Sequence, residues 1–174
     1  INYVPVIVVP MCRDFLRLVS QALFDFPARH MKMIGITGTS GKTSTAYLVR
    51  RLLQGLDIPS VMIGTTGYVM PDGEFFPPDA LPATTPEAFA LNWYLDNAVH
   101  QGAEVAVLEV SSFALSFDRV HGMRFDCGVF TNFSQDHMGY HGTMDAYLAA
   151  KLRLFRSLDE GSVAVLNADA PSFA

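Results

Sequence analysis

Charged residues are sparse in this sequence, and basic residues form no run. Charged residues make up 17% of the 174 positions, whereas apolar residues make up 50%. Disordered chains show the opposite balance, so this composition is typical of a folded domain with a sizeable core. The formal net charge is −5, and proteins that bind nucleic-acid backbones normally cluster lysine and arginine. We therefore expect no nucleic-acid partner.

Cysteines and long apolar runs are also scarce. Cys12 and Cys127 fit neither a metal-ligand spacing nor a disulfide framework, and we expect both to be small buried side chains in a reducing compartment. The apolar run at residues 4–11 contains two prolines and is much shorter than the roughly 20 residues of a membrane-spanning helix. No basic residue precedes it, as one would in a signal peptide. We predict a soluble, cytoplasmic protein without membrane insertion.

Short apolar runs alternate along the chain with segments of helical periodicity. This alternation is typical of βαβ units, and it predicts an α/β fold with a largely parallel sheet flanked by helices. The predicted strands cover residues 33–37, 61–64, 105–110, 125–131 and 163–166. Three of the predicted helices cover residues 12–26, 42–53 and 143–157, and the last has Leu148, Leu152 and Phe155 on one side.

The region between the second and third strands carries further signals. Residues 65–83 are rich in glycine and proline and include Asp72–Gly73, so they predict a loop or a hairpin insertion. A fourth helix is predicted to follow, with Thr85 as its N-cap, Pro86 at its first position and Glu87 in its first turn. The positions of this helix that we expect to be buried are Ala88, Leu91, Leu95 and Ala98.

Neither end of the sequence has the features of a natural chain terminus. Ile1 is not a natural initiator residue. The last predicted strand runs into a loop, where an α/β sheet would normally continue. We therefore expect the sequence to be a piece of a longer chain.

The strongest functional signal is a glycine-rich turn between the first strand and the next helix. Glycines there permit positive φ angles and bring the backbone close to a ligand. N–H groups of such a turn point at negative oxygens, Lys42 adds a charge for the outer phosphates, and the Thr43 hydroxyl is placed to bind Mg²⁺. The segment predicts a loop that binds ATP with Mg²⁺ and consists of Gly38, Thr39, Ser40, Gly41, Lys42, Thr43 and Ser44.

This loop is a shortened form of the general P-loop pattern. That pattern would have a glycine at position 36, where the sequence has Ile36. The alternative is a structural turn that contains a lysine by chance. The order of strand, glycine-rich turn, Lys–Thr pair and helix favours phosphate binding.

Two polar sites follow later predicted strands. Glu109 lies in an apolar strand, where a charge needs a metal or a partner, and we favour a Mg²⁺ ligand over a buried salt bridge. A polar cluster at residues 131–137 follows the next strand, at the edge where doubly wound sheets bind ligands. Within it, His137 has three interpretations: a metal ligand, a group that orients phosphate, or a cap of the following turn.

Six segments resemble the Mur ligases, and among them the tripeptide synthetases of the MurE type. They are TGTSGKT at 37–43, ATTPE at 83–87, LEVSS at 108–112, NFSQDH at 132–137, YHGTM at 140–144 and YLAAK at 147–151. The resemblance implies three domains, which bind the UDP-sugar, ATP and the incoming amino acid. It implies that residues 1–30 are an interdomain linker and entry helix, and that residues 31–174 are the N-terminal part of the central ATP-binding domain.

The resemblance also implies a reaction. Such enzymes add a diamino acid, meso-diaminopimelate or L-lysine, to UDP-MurNAc-L-Ala-D-Glu in peptidoglycan precursor synthesis. ATP phosphorylates the free carboxylate of the substrate, and the amine then attacks the acyl phosphate. The family holds the amino acid in a C-terminal domain, which we expect to be absent here, so the chain alone is expected to be inactive in ligation.

Residue roles follow from the resemblance position by position. Lys42 would hold the β- and γ-phosphates, Thr43 and Glu109 would serve one Mg²⁺, and His137 would serve a second metal. Lys151 would react with CO₂ to form a carbamate, which turns a cation into an anion with two oxygen ligands for Mg²⁺. Without the resemblance, Lys151 would be interpreted as a solvated lysine on an amphipathic helix. The residues expected to contact the muramoyl-peptide substrate are Thr84, Thr85, Ser111 and Arg119.

Some positions depart from the family pattern, and other functions stay open. Ser40 stands where the family often has Asn, and three substrate-side positions also differ, namely Ala83, Phe113 and Phe117. The alternatives are a folylpolyglutamate or cyanophycin synthetase relative, a regulatory nucleotide-binding module or GTPase, and a non-catalytic nucleotide-binding fragment. The segments at 140–142 and 150–151 weigh against the first alternative, and the lack of an Asn-Lys-x-Asp motif weighs against GTP.

Overall fold

The computed structural model describes residues 6–77 and 83–169, which form one sheet with helices on both faces. The strands are β1 (Lys32–Thr37), β2 (Ser60–Gly64), β3 (Gly67–Val69), β4 (Phe75–Phe76), β5 (Val105–Glu109), β6 (Cys127–Phe130) and β7 (Val163–Leu166). The helices are α1 (Cys12–Leu23), α2 (Lys42–Gly55), α3 (Ala88–His100), α4 (Ser112–Ser116), α5 (Met138–His141) and α6 (Met144–Arg156), with a 3₁₀ turn at Pro27–Arg29. None of the helices in this described part of the chain is long and apolar enough to span a bilayer.

The sheet has the order β4-β3-β2-β5-β1-β6-β7 and is parallel over most of its width. β2, β5, β1, β6 and β7 run in one direction, whereas β3 is antiparallel to both of its neighbours. The register pairs Ile36 with Glu109, and Thr37 with Phe130. The carboxyl ends of the parallel strands therefore meet at one edge, which is where this class of sheet binds ligands.

Alternating side chains on the central strands separate two apolar cores. On one face, Leu108 of β5 packs in a cluster with Leu95 of α3 and Leu154 of α6. On the other face, Val107 packs in a cluster with Ala46 of α2. Every residue of β5 is buried, as predicted for a central strand covered on both sides.

The five predicted strands are confirmed to within two residues at each end, and so is the α/β class. The predicted hairpin insertion is also confirmed: β3 and β4 flank a turn that contains Asp72 and Gly73, and Gly73 has a φ angle of 92°. Residues 78–82 of that segment lie outside the described residues, as do residues 1–5 of the predicted linker. The fourth helix buries Ala88, Leu91, Leu95 and Ala98, as predicted.

The prediction that Thr85 caps the fourth helix is wrong. That helix, α3, begins at Ala88, and Glu87 occupies its N-cap position. The Thr85 hydroxyl instead donates to the carbonyl oxygen of Glu109 at 2.8 Å and accepts from the N–H of Ser111 at 3.0 Å. A long-range partner at the end of β5 has replaced the local cap.

Two smaller predictions are also wrong. α1 ends at Leu23 rather than at residue 26, because Asp25 and Phe26 adopt left-handed φ angles of 52° and 51°. Cys12 is exposed and Cys127 is half-buried, so neither is a fully buried side chain. In α6, Leu148, Leu152 and Phe155 are half-buried, and the buried residues are Tyr147, Ala150, Lys151 and Leu154.

Leu108→Ala tests whether β5 is the centre of the core. The Leu108 side chain is 0% exposed, so its truncation should leave a cavity and lower the free energy of unfolding by about 3 kcal/mol. Urea denaturation measures this change. Leu48→Ala is the matched control, because Leu48 on α2 is 66% exposed and should change stability by less than about 0.5 kcal/mol. Equal effects of the two substitutions would contradict the assignment of the core.

Candidate active site

The glycine-rich turn between β1 and α2 has the conformation predicted for it. Gly38 and Gly41 have φ angles of 144° and 81°, and α2 begins at Lys42. A Cβ atom at Gly38 would lie 2.0 Å from Oγ1 of Thr131, so the position has no room for a side chain. The turn brings the N-terminus of α2 to the carboxyl edge of the sheet, where its free N–H groups favour an anion.

Hydrogen bonds from the segment that follows β6 hold this turn in place. The N–H of Ser40 donates to Oδ1 of Asn132 at 3.0 Å, and Nδ2 of Asn132 donates to the carbonyl oxygen of Ser40 at 2.9 Å. The Thr39 hydroxyl donates to the carbonyl oxygen of Ser134 and accepts from its N–H, both at 3.1 Å. The predicted polar cluster therefore belongs to the site, and Asn132 and Ser134 shape the loop, a role that sequence reasoning did not assign to them.

Lys42 folds over the same turn. Its Nζ donates to the carbonyl oxygens of Gly38 at 3.0 Å and Thr39 at 2.9 Å. Burial lowers the pKa of Lys42, and attraction to Glu109 and Asp136 partly opposes this shift. The ammonium group is therefore held at the turn by the carbonyl groups of the loop itself.

Glu109 ends β5 as a fully buried carboxylate. Its Oε2 accepts hydrogen bonds from the hydroxyls of Thr43 at 2.9 Å and Thr65 at 3.1 Å, and its Oε1 accepts from the N–H of Thr65 at 3.1 Å. Among the described residues Glu109 forms no ion pair, so the buried salt bridge considered above is not found there. All three of these donors are neutral groups, so the negative charge of the carboxylate remains available to bind a cation.

Two residues at the end of β2 enclose this carboxylate. A Cβ atom at Gly64 would lie 2.0 Å from Oε1 of Glu109, so only glycine leaves the carboxylate its space. Thr65 comes next and supplies two of the hydrogen bonds to Glu109. Sequence reasoning missed Thr65, whose one signal was its place directly after a buried strand.

Lys151 is buried beneath the phosphate loop. The residue is 1% exposed, its Nζ donates to the carbonyl oxygen of Gly38 at 2.7 Å, and it lies 4.3 Å from the ring centre of Tyr147. Burial and, second, repulsion from Lys42 lower the pKa of Lys151 to about 7. The interpretation of Lys151 as a solvated helix residue is therefore wrong.

His137 lies at the rim of the site in a left-handed conformation, with a φ angle of 53°. It is the N-cap residue of α5, and it caps this turn through its backbone carbonyl alone, because its side chain makes no capping hydrogen bond. Its Nε2 lies 3.5 Å from Oδ2 of Asp136, and its ring centre lies 5.0 Å from that of Phe113 and 6.0 Å from that of Tyr147. The metal and phosphate interpretations of His137 stay predictions.

The four residues predicted to contact substrate lie close together but differ in access. Thr84, Ser111 and Arg119 line a cavity, whereas Thr85 is 0% exposed. Arg119 donates to the carbonyl oxygen of Thr85 at 2.8 Å and pairs with Glu87. Thr85 therefore holds the residues around the cavity in place through its hydrogen bonds. The side chains of Thr84, Ser111 and Arg119 line the cavity itself.

This cavity beside the phosphate loop measures about 320 Å³ and suits an anion. Lys42, Arg119 and Lys151 line it, and none of its described lining residues is acidic. Phe113 and Phe117 also line it, at two of the positions that depart from the family pattern. A ligand with a carboxylate and an apolar portion matches this lining.

The oxygen donors at the loop fit a hard divalent cation. The Thr43 hydroxyl and the Glu109 carboxylate lie 2.9 Å apart. Mg²⁺ prefers oxygen ligands and is commonly bound by one or two protein groups together with phosphates and water. Within residues 6–77 and 83–169, no group of three or more His, Cys, Asp or Glu side chains could hold a metal. Phosphate oxygens would therefore have to complete the coordination.

The turn, the buried carboxylate and the basic cavity define an α/β domain of the P-loop class. Residues 36–174 match the Mur ligase middle domain, and the chain belongs to this family. This match confirms the resemblance found in the sequence motifs.

Several relatives are similar over nearly the whole chain. The UDP-N-acetylmuramyl-tripeptide synthetase of Deinococcus radiodurans is 42% identical over 169 residues, which is 96% of this chain and 33% of that protein. The UDP-N-acetylmuramoyl-L-alanyl-D-glutamate–L-lysine ligase of Staphylococcus haemolyticus is 38% identical over 167 residues, 94% of this chain and 33% of that one. A solved UDP-N-acetylmuramoyl-L-alanyl-D-glutamate–2,6-diaminopimelate ligase matches with a TM-score of 0.70 and 34% identity over 89% of this chain and 32% of its own. The chain thus spans about a third of the length of these relatives.

Gly64→Ala tests the close approach of β2 to Glu109. The added methyl group would overlap Oε1 of the buried carboxylate, so we expect a loss of about 1–3 kcal/mol in the free energy of unfolding. Gly55→Ala at the end of α2 is the matched control, because a Cβ atom there meets nothing within 4 Å. Urea denaturation of both variants decides the point, and an unchanged stability of Gly64→Ala would show that the carboxylate lies elsewhere.

Proposed function

We propose that this chain is the central ATP-binding domain of a cytoplasmic ligase that adds a diamino acid to UDP-MurNAc-L-Ala-D-Glu in peptidoglycan precursor synthesis. Residues 1–30 would be the linker and entry helix, and residues 31–174 the N-terminal part of that domain. The names of relatives at 42% and 38% identity support this reaction. The observation that carries the proposal is the meeting of the phosphate loop, Glu109 and Lys151 beside a basic cavity.

ATP would bind at the loop of residues 38–44. The N–H groups at the start of α2 would meet phosphate oxygens, and Lys42 would hold the β- and γ-phosphates. Thr43 and Glu109 would hold Mg²⁺, which neutralises phosphate charge when it is bound. The loop would keep its shape through Asn132 and Ser134, so little reorganisation would be needed on binding.

The substrate carboxylate would occupy the basic cavity. Thr84 and Ser111 offer hydroxyl groups there, and Arg119 and Lys42 offer positive charge. The γ-phosphoryl group of ATP would pass to the carboxylate with release of ADP, and the amine would then displace phosphate from the acyl phosphate. Each step brings anionic groups together, so positioning and charge neutralisation by these residues would supply most of the catalysis.

The identity of the amine is a property of the complete ligase. Relatives include a 2,6-diaminopimelate ligase and an L-lysine ligase, so both diamino acids are compatible with the proposal. ATP-dependent phosphate release by the complete ligase, measured with each amino acid in turn, distinguishes the two.

Lys151 would act as a carbamate, and His137 would serve a second metal at the rim. CO₂ adds to a neutral amine, and the nitrogen then loses a proton to give the carbamate anion. Because the pKa of Lys151 is about 7, much of this side chain is neutral near physiological pH. The resulting oxygens would suit Mg²⁺, which an ammonium group cannot bind.

Lys42→Ala should remove most Mg²⁺-dependent ATP binding. The loss of a charge-assisted contact to the phosphates should raise the dissociation constant roughly 10- to 100-fold, as measured by isothermal titration calorimetry. Lys32→Ala is the matched control, because Lys32 is exposed at the opposite end of β1 and pairs with Asp126. Equal affinity of Lys42→Ala and the unaltered protein would contradict the proposed phosphate site.

A carbamate on Lys151 should be visible by ¹³C NMR of protein equilibrated with ¹³C-labelled CO₂. At constant dissolved CO₂, the signal should increase as the pH rises through about 7, because deprotonation supplies the neutral amine. The signal should vanish in Lys151→Arg and persist in Lys32→Ala. A carbamate signal that survives in Lys151→Arg would show that another amine carries it.

A further inference from the structure

Thr65 lies between residues that serve different parts of the proposed reaction. Its hydroxyl oxygen is 3.1 Å from Oε2 of Glu109 and 3.1 Å from Oγ1 of Thr84. Glu109 stands at the phosphate loop through its bond with Thr43, whereas Thr84 lines the basic cavity. Thr65 follows β2 directly, so the sheet holds its backbone in place.

The direction of these hydrogen bonds follows from counting protons. An ionised carboxylate only accepts, and a threonine hydroxyl carries a single proton. Thr65 must therefore donate to Glu109, and it accepts from Thr84. The result is a chain of hydrogen bonds that runs from the cavity to the phosphate loop, in the order Thr84, Thr65, Glu109.

Thr65 also holds the other oxygen of the same carboxylate. Its N–H donates to Oε1 at 3.1 Å, so one residue contacts both oxygens of Glu109. Gly64 packs against this carboxylate and leaves it little room to turn. The orientation of the Glu109 side chain therefore depends on the position of Thr65.

We propose that Thr65 is a positioning residue that orients the Glu109 carboxylate toward Mg²⁺–nucleotide and couples it to the Thr84 hydroxyl in the substrate cavity. This inference rests on the proposed function, in which Glu109 binds the metal and Thr84 faces the substrate. Partners that orient a metal ligand typically change metal affinity about 10- to 100-fold when they are removed. Hydrogen bonds in a chain polarise one another, so a substrate that engages Thr84 also changes how strongly Thr65 donates to Glu109.

Thr65→Val tests the positioning role, because valine keeps the shape and the N–H but lacks the hydroxyl. The Mg²⁺ concentration for half-maximal binding of a non-hydrolysable ATP analogue should rise about 10-fold. Binding of the analogue in EDTA should stay unchanged, which also shows that the variant is folded. Thr65→Ser restores the hydroxyl and should return the Mg²⁺ requirement to its original value. Thr66→Val, at the adjacent exposed threonine, is the matched control and should have no effect.

A double-mutant cycle tests the coupling to the cavity. Thr84→Val should raise the Mg²⁺ requirement of the otherwise unaltered protein, because Thr65 then loses its donor. The same substitution should have no further effect in Thr65→Val, where the chain is already broken. Equal effects of Thr84→Val in both backgrounds would overturn the coupling.

The same titrations separate this inference from the proposed function. If the unaltered protein binds the analogue equally well with and without Mg²⁺, the metal role of Glu109 is lost, and both proposals are overturned. If the unaltered protein requires Mg²⁺ and Thr65→Val has the same requirement, only the role of Thr65 is overturned. Thr65→Ala provides the test if the fold does not accept valine.

Discussion

A carboxylate buried at the end of the central strand governs the arrangement of the sheet edge around it. An ionised group removed from water is costly unless it is hydrogen-bonded, and Glu109 is held by Thr43 at the start of α2 and by Thr65 after β2. These hydrogen bonds hold two separate loops, the one before α2 and the one after β2, at the end of β5. The phosphate loop and the start of the hairpin insertion therefore keep fixed positions about one carboxylate, and Gly64 is required by the same contact.

At the phosphate loop, the amino groups of two lysines meet at a single carbonyl. Lys42 and Lys151 both donate to the oxygen of Gly38, and Arg119 lines the cavity beside them. This concentration of basic groups occurs in a chain whose formal net charge is −5. Such a local field attracts anions to one place. The phosphates and the carboxylate of the proposed reaction are anions that this positive charge would attract.

Predictions from the sequence succeeded where the signal is local and failed where a distant partner intervenes. A buried strand appears as an apolar run and a phosphate loop as glycines ahead of a helix, so β5 and the conformation of residues 38–44 were predictable. Thr85 has the pattern of a helix cap, yet its hydroxyl bonds to the end of β5. Lys151 has the pattern of a solvated helix residue, and only the family resemblance pointed inward. The substrate contacts and the metal role of His137 stay predictions.

The sequence by itself determined the class of fold, the succession of strands and helices, and the place of the phosphate loop, because periodicity and neighbouring residues carry that information. Only the tertiary structure decided which side chains meet. Thr65 reaches Glu109, Asn132 reaches Ser40, and Lys151 reaches Gly38, a residue 113 positions away. These contacts depend on the parallel register of the strands, which is set by the packing of both sheet faces against the helices and by no local pattern in the chain.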